Sequence, residues 1–266
     1  MRFLAAGIVC VVMVGCLTQA HAAWLQTKGT ALVISSLTNY NSDARFDEFG
    51  QRVSGVKYRK QEASIYSVYG VSDSLTLGVQ PSFYSLGGAG RNKTLGLSYV
   101  ELFARTKVLV GDFWIVSAQA LVKFPGANSF DREPFIEAPS RDMEGRLLFG
   151  RNGSLLPHKL DLRYFTSIEA GFRRRDGNAA DQLRADATLG LNLNPDYQMI
   201  FQSFNIAAFE GKQVKPATDY DLYKAQISVV RKLPRAMAIQ FGGFSEFAGR
   251  NTGAGNALFL AVWSQF

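Results

Sequence analysis

Charged side chains recur at every second position along several stretches of this chain. Glu101, Arg105 and Lys107 share one parity, opposite Val100, Leu102 and Ala104. Asp161, Arg163, Glu169 and Arg173 alternate with Leu160, Leu162, Tyr164, Ile168, Ala170 and Phe172. Arg184 and Asp186 do the same against Leu183, Ala185, Ala187 and Leu189, and Lys123 against Val122 and Phe124. Side chains two apart on an extended strand lie on one face, so each set lines a surface in mixed signs. That chemistry is pairing across a sheet or holding a charged solute.

Groups that make or break bonds are scarce. Past the first 22 residues the sole histidine is His158. Ser154 and Asp161 lie near it, but the spacing assembles no nucleophile–base pair. Asp43, Asp47 and Glu48 read as carboxylates of a solvated loop rather than a calcium site. Gly87-Gly88-Ala89-Gly90 lacks both the lysine and the helix of a phosphate loop. The sequence therefore predicts a protein that is not an enzyme, with no catalytic residue, no metal and no cofactor.

The start of the chain reads as an export leader. Arg2 precedes an apolar run from Phe3 to Leu17, and Ala20-His21-Ala22 supplies an Ala-x-Ala cleavage site. Residues 1–22 are then removed and residues 23–266 remain, 266 − 22 = 244 residues, enough for one large domain. Met13-Val14-Gly15-Cys16 loosely resembles a lipoprotein box, and Ala-x-Ala is the better match. Cys10 and Cys16 both leave with the leader, which excludes disulfides and thiolate chemistry from the remainder. Loss of Arg2 lowers the net charge from +7 to +6. The basic residues are interspersed with Asp and Glu, and their longest run is Arg173-Arg174-Arg175, so no nucleic-acid surface is expected.

The elements that must position the charges are strands. Periodicity predicts them at 29–40, 58–69, 75–84, 95–108, 113–124, 143–150, 159–173, 183–193, 197–209, 220–231, 236–247 and 256–266. Long polar connections, such as Asn41–Lys57 and Pro125–Arg141, alternate with tight ones such as Ser72-Asp73, Gly111-Asp112, Asn194-Pro195-Asp196 and Leu233-Pro234. Alternating lengths put short turns at one end of a barrel and long loops at the other, and an even strand number brings both termini to the turn end. Trp24, Trp114, Trp263, Tyr40, Tyr58, Tyr69, Tyr84, Tyr197 and Tyr220 fall near predicted strand ends, where amphipathic rings settle at membrane interfaces. The fold expected is all-β, a transmembrane antiparallel up-and-down barrel of about twelve strands. It would sit in the outer membrane of a Gram-negative bacterium, against outer-membrane lipid, with both termini periplasmic. The charged faces would then line the lumen, because Arg or Lys against lipid costs about 2–4 kcal/mol at mid-depth.

Three resemblances accompany this reading. The chain ends on a strand in which Leu258, Leu260, Val262, Ser264 and Phe266 share a face, and it resembles the closing strand of outer-membrane barrels. The resemblance implies that Phe266, Val262 and Leu260 form the signal read by the barrel assembly machinery. Tyr69 through Gly78, Glu101 through Lys107, and Gln119 through Gly126 look like segments of transporter-like barrels of proteobacteria, some tied to aromatic-compound breakdown. The Ala-Trp opening and the glycine in the first strand are similar to barrels associated with adhesin exopolysaccharide synthesis. These likenesses imply passage of a small solute or a surface glycan through a polar lumen lined by Glu101, Arg105, Lys107, Lys123, Asp161, Arg163, Glu169, Arg173, Arg184 and Asp186. The other reading is a closed structural or adhesive barrel whose long loops bind a surface partner.

Overall fold

Alternation of apolar and polar residues over ten or more positions demands two different solvents on the two faces of each strand, and a closed barrel supplies both. A computed structural model describes residues 23–88, 94–126, 141–155, 162–177, 179–209 and 219–266. Residues 1–22, for which the sequence predicts a leader, lie outside them, as do His158, Asp161 and most of the connection after Pro125.

The strands are β1 (Ala31–Phe46), β2 (Arg52–Ser72), β3 (Leu75–Gly88), β4 (Thr94–Val110), β5 (Trp114–Pro125), β6 (Asp142–Leu155) and β7 (Leu162–Arg175). They continue as β8 (Gln182–Asn192), β9 (Tyr197–Ala208), β10 (Asp221–Leu233), β11 (Met237–Arg250), the two-residue β12 (Thr252–Gly253) and β13 (Asn256–Gln265). Neighbours pair antiparallel in chain order from β2 to β11, β13 follows β11, and β1 pairs with both β13 and β2. Twelve long strands thus close into an up-and-down barrel, with β12 adding two rungs to the top of β1. Among the described residues no helix is long and apolar enough to cross a membrane.

Outward positions form an apolar girdle. Leu77, Leu102, Leu147, Ile168, Leu183, Ile227, Phe241, Leu258 and Leu260 are all exposed on it. So large a contiguous apolar band is foreign to water-facing monomers and suits hydrocarbon. Inside, glycines make room for rings. A side chain on Gly190 would collide with Phe165, and one on Gly78 with Phe103. Closure extends to the last residue, whose N–H donates to Ala31 O at 2.9 Å while its carbonyl accepts from Ala31 N at 3.0 Å.

The first hairpin is longer than its sequence suggests. Asn41–Lys57 reads as a loop, yet β1 runs on to Phe46 and β2 begins at Arg52. The turn shrinks to five residues because Asp47 Oδ1 accepts both Phe49 N (2.9 Å) and Gln51 N (2.8 Å), and Gly50 takes φ 75°. Polar composition masked the extension, since strand above the lipid has no need of an apolar face.

Candidate functional site in the barrel lumen

Inward residues at mid-height fall into two arcs. The first belongs to β4–β8. Register sets Glu101 beside Lys123, Lys123 beside Asp142, Glu144 beside Arg173, and Glu169 beside Asp186. Arg146 reaches Glu144, Glu169 and Asp186, each at 2.6 Å. Arg173 holds Glu144 at 2.6 Å, Glu101 at 3.0 Å and Asp142 at 3.7 Å. Asp142 also lies 3.8 Å from Lys123 and 3.5 Å from Arg175, and Arg184 is 3.8 Å from Glu144. Among the described residues this arc holds five carboxylates and five cations, which balance. Short charge-assisted bonds at such low exposure fix geometry more than they add stability.

The second arc is made of lysines and rings, and it covers the rest of the circumference. Lys123 Nζ lies 4.7 Å from the Tyr99 ring, and Tyr99 meets Tyr84 edge-on at 6.1 Å. Lys60 sits 4.4 Å from Tyr84 and 5.9 Å from Tyr40. Tyr40 stacks on Phe244 at 6.2 Å, and Lys224 lies between Phe244 (4.5 Å) and Phe204 (4.6 Å). Cation–π contact of this kind suits partly dehydrated ammonium groups. Glu62 pairs with Lys60 at 3.3 Å, and Tyr40 Oη donates to Glu246 Oε2 at 2.6 Å.

Below the arcs, at the turn end, the interior becomes apolar and chain fills it. Leu32, Val68, Phe103, Leu121, Ile200, Val230 and Trp263 form one buried cluster. Ala23, Trp24 and Leu25 pack with Ile115 and Leu148 in another. The segment leading into β1 is tied to the wall: Ser117 Oγ donates to Ala23 O (2.7 Å), Arg105 Nη1 to Trp24 O (3.2 Å), and Gln26 N to Thr76 Oγ1 (2.9 Å). A side chain at Gly150 would strike the Trp24 ring, and one at Gly70 the backbone of Gln26 and Thr27. Above this floor lies a cavity of about 1400 Å³, lined by both arcs and reaching Thr252 and Gly253 at the loop end.

The residues singled out in the sequence take several places. Glu101, Lys123, Glu169, Arg173, Arg184 and Asp186 stand in the arginine–carboxylate arc. Arg105 is buried lower down, on Gln119 (2.8 Å) and Trp24 O. Lys107, half-buried, is level with Ser117 near the turn end. Arg163 has the parity of Glu169 but ends exposed at the rim, opposite Asn192 and Ser154. Asp161 lies outside the described residues. Phe266, Val262 and Leu260 are exposed on the outer face of the closing strand.

Sequence reasoning missed Asp142, Glu144 and Arg146, although their spacing of two carries the same signal. It also missed Lys60 and Glu62, which share that spacing in a stretch read as mostly loop and strand edge, and Lys224 and Glu246, which have no charged neighbour two residues away. The expectation puts Tyr40, Tyr58, Tyr84, Tyr220, Trp24 and Trp263 at the lipid interface, but five of them line the lumen and Tyr84 lies against Lys60, opposite Glu62. Hydrogen bonding gives the reason: Glu246 accepts from Tyr40, and Gln240 Oε1 accepts Trp263 Nε1–H at 3.0 Å, inside the wall. Trp114, Tyr69 and Tyr197 do face outward.

No family model matches the chain, and no curated protein matches its sequence. Solved structures do resemble it. An outer-membrane channel from Pseudomonas putida F1 superposes with a TM-score of 0.71 at 15% identity, over 93% of this chain and 98% of that one. LpxR from Salmonella typhimurium gives 0.55 at 10% identity, over 88% and 99%. The KdgM porin gives 0.54 at 7% identity, also over 88% and 99%. At these identities the likeness is one of fold, and the fold is that of an outer-membrane β-barrel.

Proposed function

We propose that this protein is a passive channel for a small polar solute or a short glycan across the outer membrane. The carrying observation is the cavity of about 1400 Å³, polar at mid-height and closed at the turn end by the short segment of Ala23 to Thr27 as well as by the wall. The likeness to a channel and a porin supports this reading, and the KdgM porin has been solved in complex with a disordered oligogalacturonate. In this reading residues 1–22 are a cleaved leader, the turns and both termini face the periplasm, and the long loops face outward. Leu260 and Val262 on β13, with Phe266 just after it, present the segment that we assign to the assembly machinery.

Planar-bilayer recording tests the reading. The purified barrel should conduct, and Trp24→Ala combined with Gln26→Ala should raise conductance severalfold by loosening the floor. Silence from both proteins, with folding intact by heat-modifiable gel mobility, would sink the channel and favour the closed, loop-binding barrel.

A further inference from the structure

Nearly every charge in the two arcs is answered, and two cations stand apart. Arg146 and Arg173 each hold carboxylates at 2.6 Å. By contrast, Arg184 Nε is buried without a hydrogen-bond partner, and its closest carboxylate oxygen among the described residues, on Glu144, is 3.8 Å from Nη1. Lys224 Nζ has rings on two sides and makes no hydrogen bond or ion pair with any described residue. An ammonium carries three donors. Its cross-strand neighbour Glu246 already accepts Tyr40 Oη–H and Gly255 N–H on the same oxygen, at 2.6 and 3.0 Å. Both side chains line the cavity, so donors that no described residue engages are open to something that arrives.

The wall between them indicates its shape. Arg184 stands beside Ile206 on β9, and one rung lower Phe204 stands beside Lys224 on β10. Two strand spacings and a two-residue offset separate the cations, roughly 12 Å between backbones, with the apolar strip of Phe204 and Ile206 lying between. A bare inorganic anion satisfies the donors and leaves that strip untouched. A ring that bears a carboxylate uses both: the planar guanidinium and the ammonium take the oxygens, and a ring face lies on the strip.

We propose that Arg184 and Lys224 form a binding site in the lumen for a small cyclic carboxylate, either a sugar acid or an aromatic acid. The proposal names the solute class of the channel reading and rests on it.

Titration calorimetry of the detergent-purified barrel provides the test, with galacturonate, benzoate, acetate, galactose and benzyl alcohol as probes. Galacturonate or benzoate should bind at least about tenfold more tightly than acetate, and the uncharged rings should not register. Whichever ring acid binds identifies the source. Lys224→Met and Arg184→Gln should each weaken that binding about tenfold, the loss expected for one charged hydrogen bond, with gel mobility unchanged. Acetate binding as tightly as the ring acids, or ring-acid binding indifferent to Lys224→Met, would overturn the site. Bilayer recording separates the two claims. A barrel that conducts but binds no ring acid loses the site and keeps the channel, whereas one that binds the acid and never conducts keeps the site and loses the channel.

Discussion

Arg146→Met should be the most damaging single change in the lumen. The guanidinium of Arg146 contacts three carboxylates, Glu144, Glu169 and Asp186, each at 2.6 Å. Their side chains are 0%, 12% and 10% exposed, and that of Arg146 is 10% exposed. After the substitution Glu144 keeps Arg173 at 2.6 Å. Glu169 and Asp186 are cross-strand partners, and no other cation among the described residues lies within ion-pair distance of either. Two adjacent, nearly buried carboxylates would then keep only the Asn205 N–H that Asp186 accepts at 3.3 Å, with no cation to balance them. Breaking a buried ion pair by removing one partner costs about 3–5 kcal/mol, and that is the loss expected here at pH 8. Methionine keeps the volume, so the loss is electrostatic. The combination of Arg146→Met with Glu169→Gln and Asp186→Asn should recover most of it, because replacing a whole buried charge set by neutral groups is often close to neutral. Reversible urea unfolding of the reconstituted barrel, followed by tryptophan fluorescence, measures both variants. A loss below about 1 kcal/mol, the size of an exposed pair, would refute the reasoning. So would a triple variant no more stable than the single one.

Four other outcomes follow from the same structure. Ile168→Arg, at an outward position 59% exposed, should cost about 2–4 kcal/mol in lipid, while Ile168→Leu should be nearly silent; equal losses would mean that the outer face does not meet hydrocarbon. Gly190→Val should cost about 1–3 kcal/mol by displacing the Phe165 ring, and Phe165→Leu in the same chain should restore part of it. Ala236→Gly should stabilise the barrel by about 1 kcal/mol, since Ala236 takes φ 54° in the β10–β11 turn, where a Cβ is strained. Deleting Phe266, whose N–H and C=O both pair with Ala31, should reduce insertion in cells, read by gel mobility, well beyond Gln265→Ala.

The outer wall was more legible in the sequence than the lumen, for a physical reason. Lipid imposes one demand on every outward position, so Leu183, Ala185, Ala187 and Leu189 advertise their face at a glance. The lumen imposes none that repeats. Phe103, Leu121 and Ile200 point inward because the turn end is packed, whereas Glu101 and Lys123 point inward because their partners Arg173 and Asp142 stand on the same inner face. A reader looking for polar residues on the inner face finds Arg173 and passes over Phe204. Lys60 and Lys224 come into one arc only once β1, β13 and β11 join β2 to β10. The floor was hidden altogether, since nothing local in Ala23-Trp24-Leu25-Gln26 says that it lies on Ile115 and Leu148, about a hundred residues away.

The two arcs also differ in when they can form. Every partner in the arginine–carboxylate arc lies between Glu101 and Asp186, on strands consecutive in the chain, so it needs only a curved sheet and short loop closures. The lysine–aromatic arc is complete only once Tyr40 reaches over β13 to Glu246, 206 residues away. The first arc is therefore a prefabricated half-shell, and the second is a latch across the seam between the first strand and the last. Its rings and hydroxyls fall into register only after β1 and β13 have met, which makes a finished lumen and a sealed wall one event.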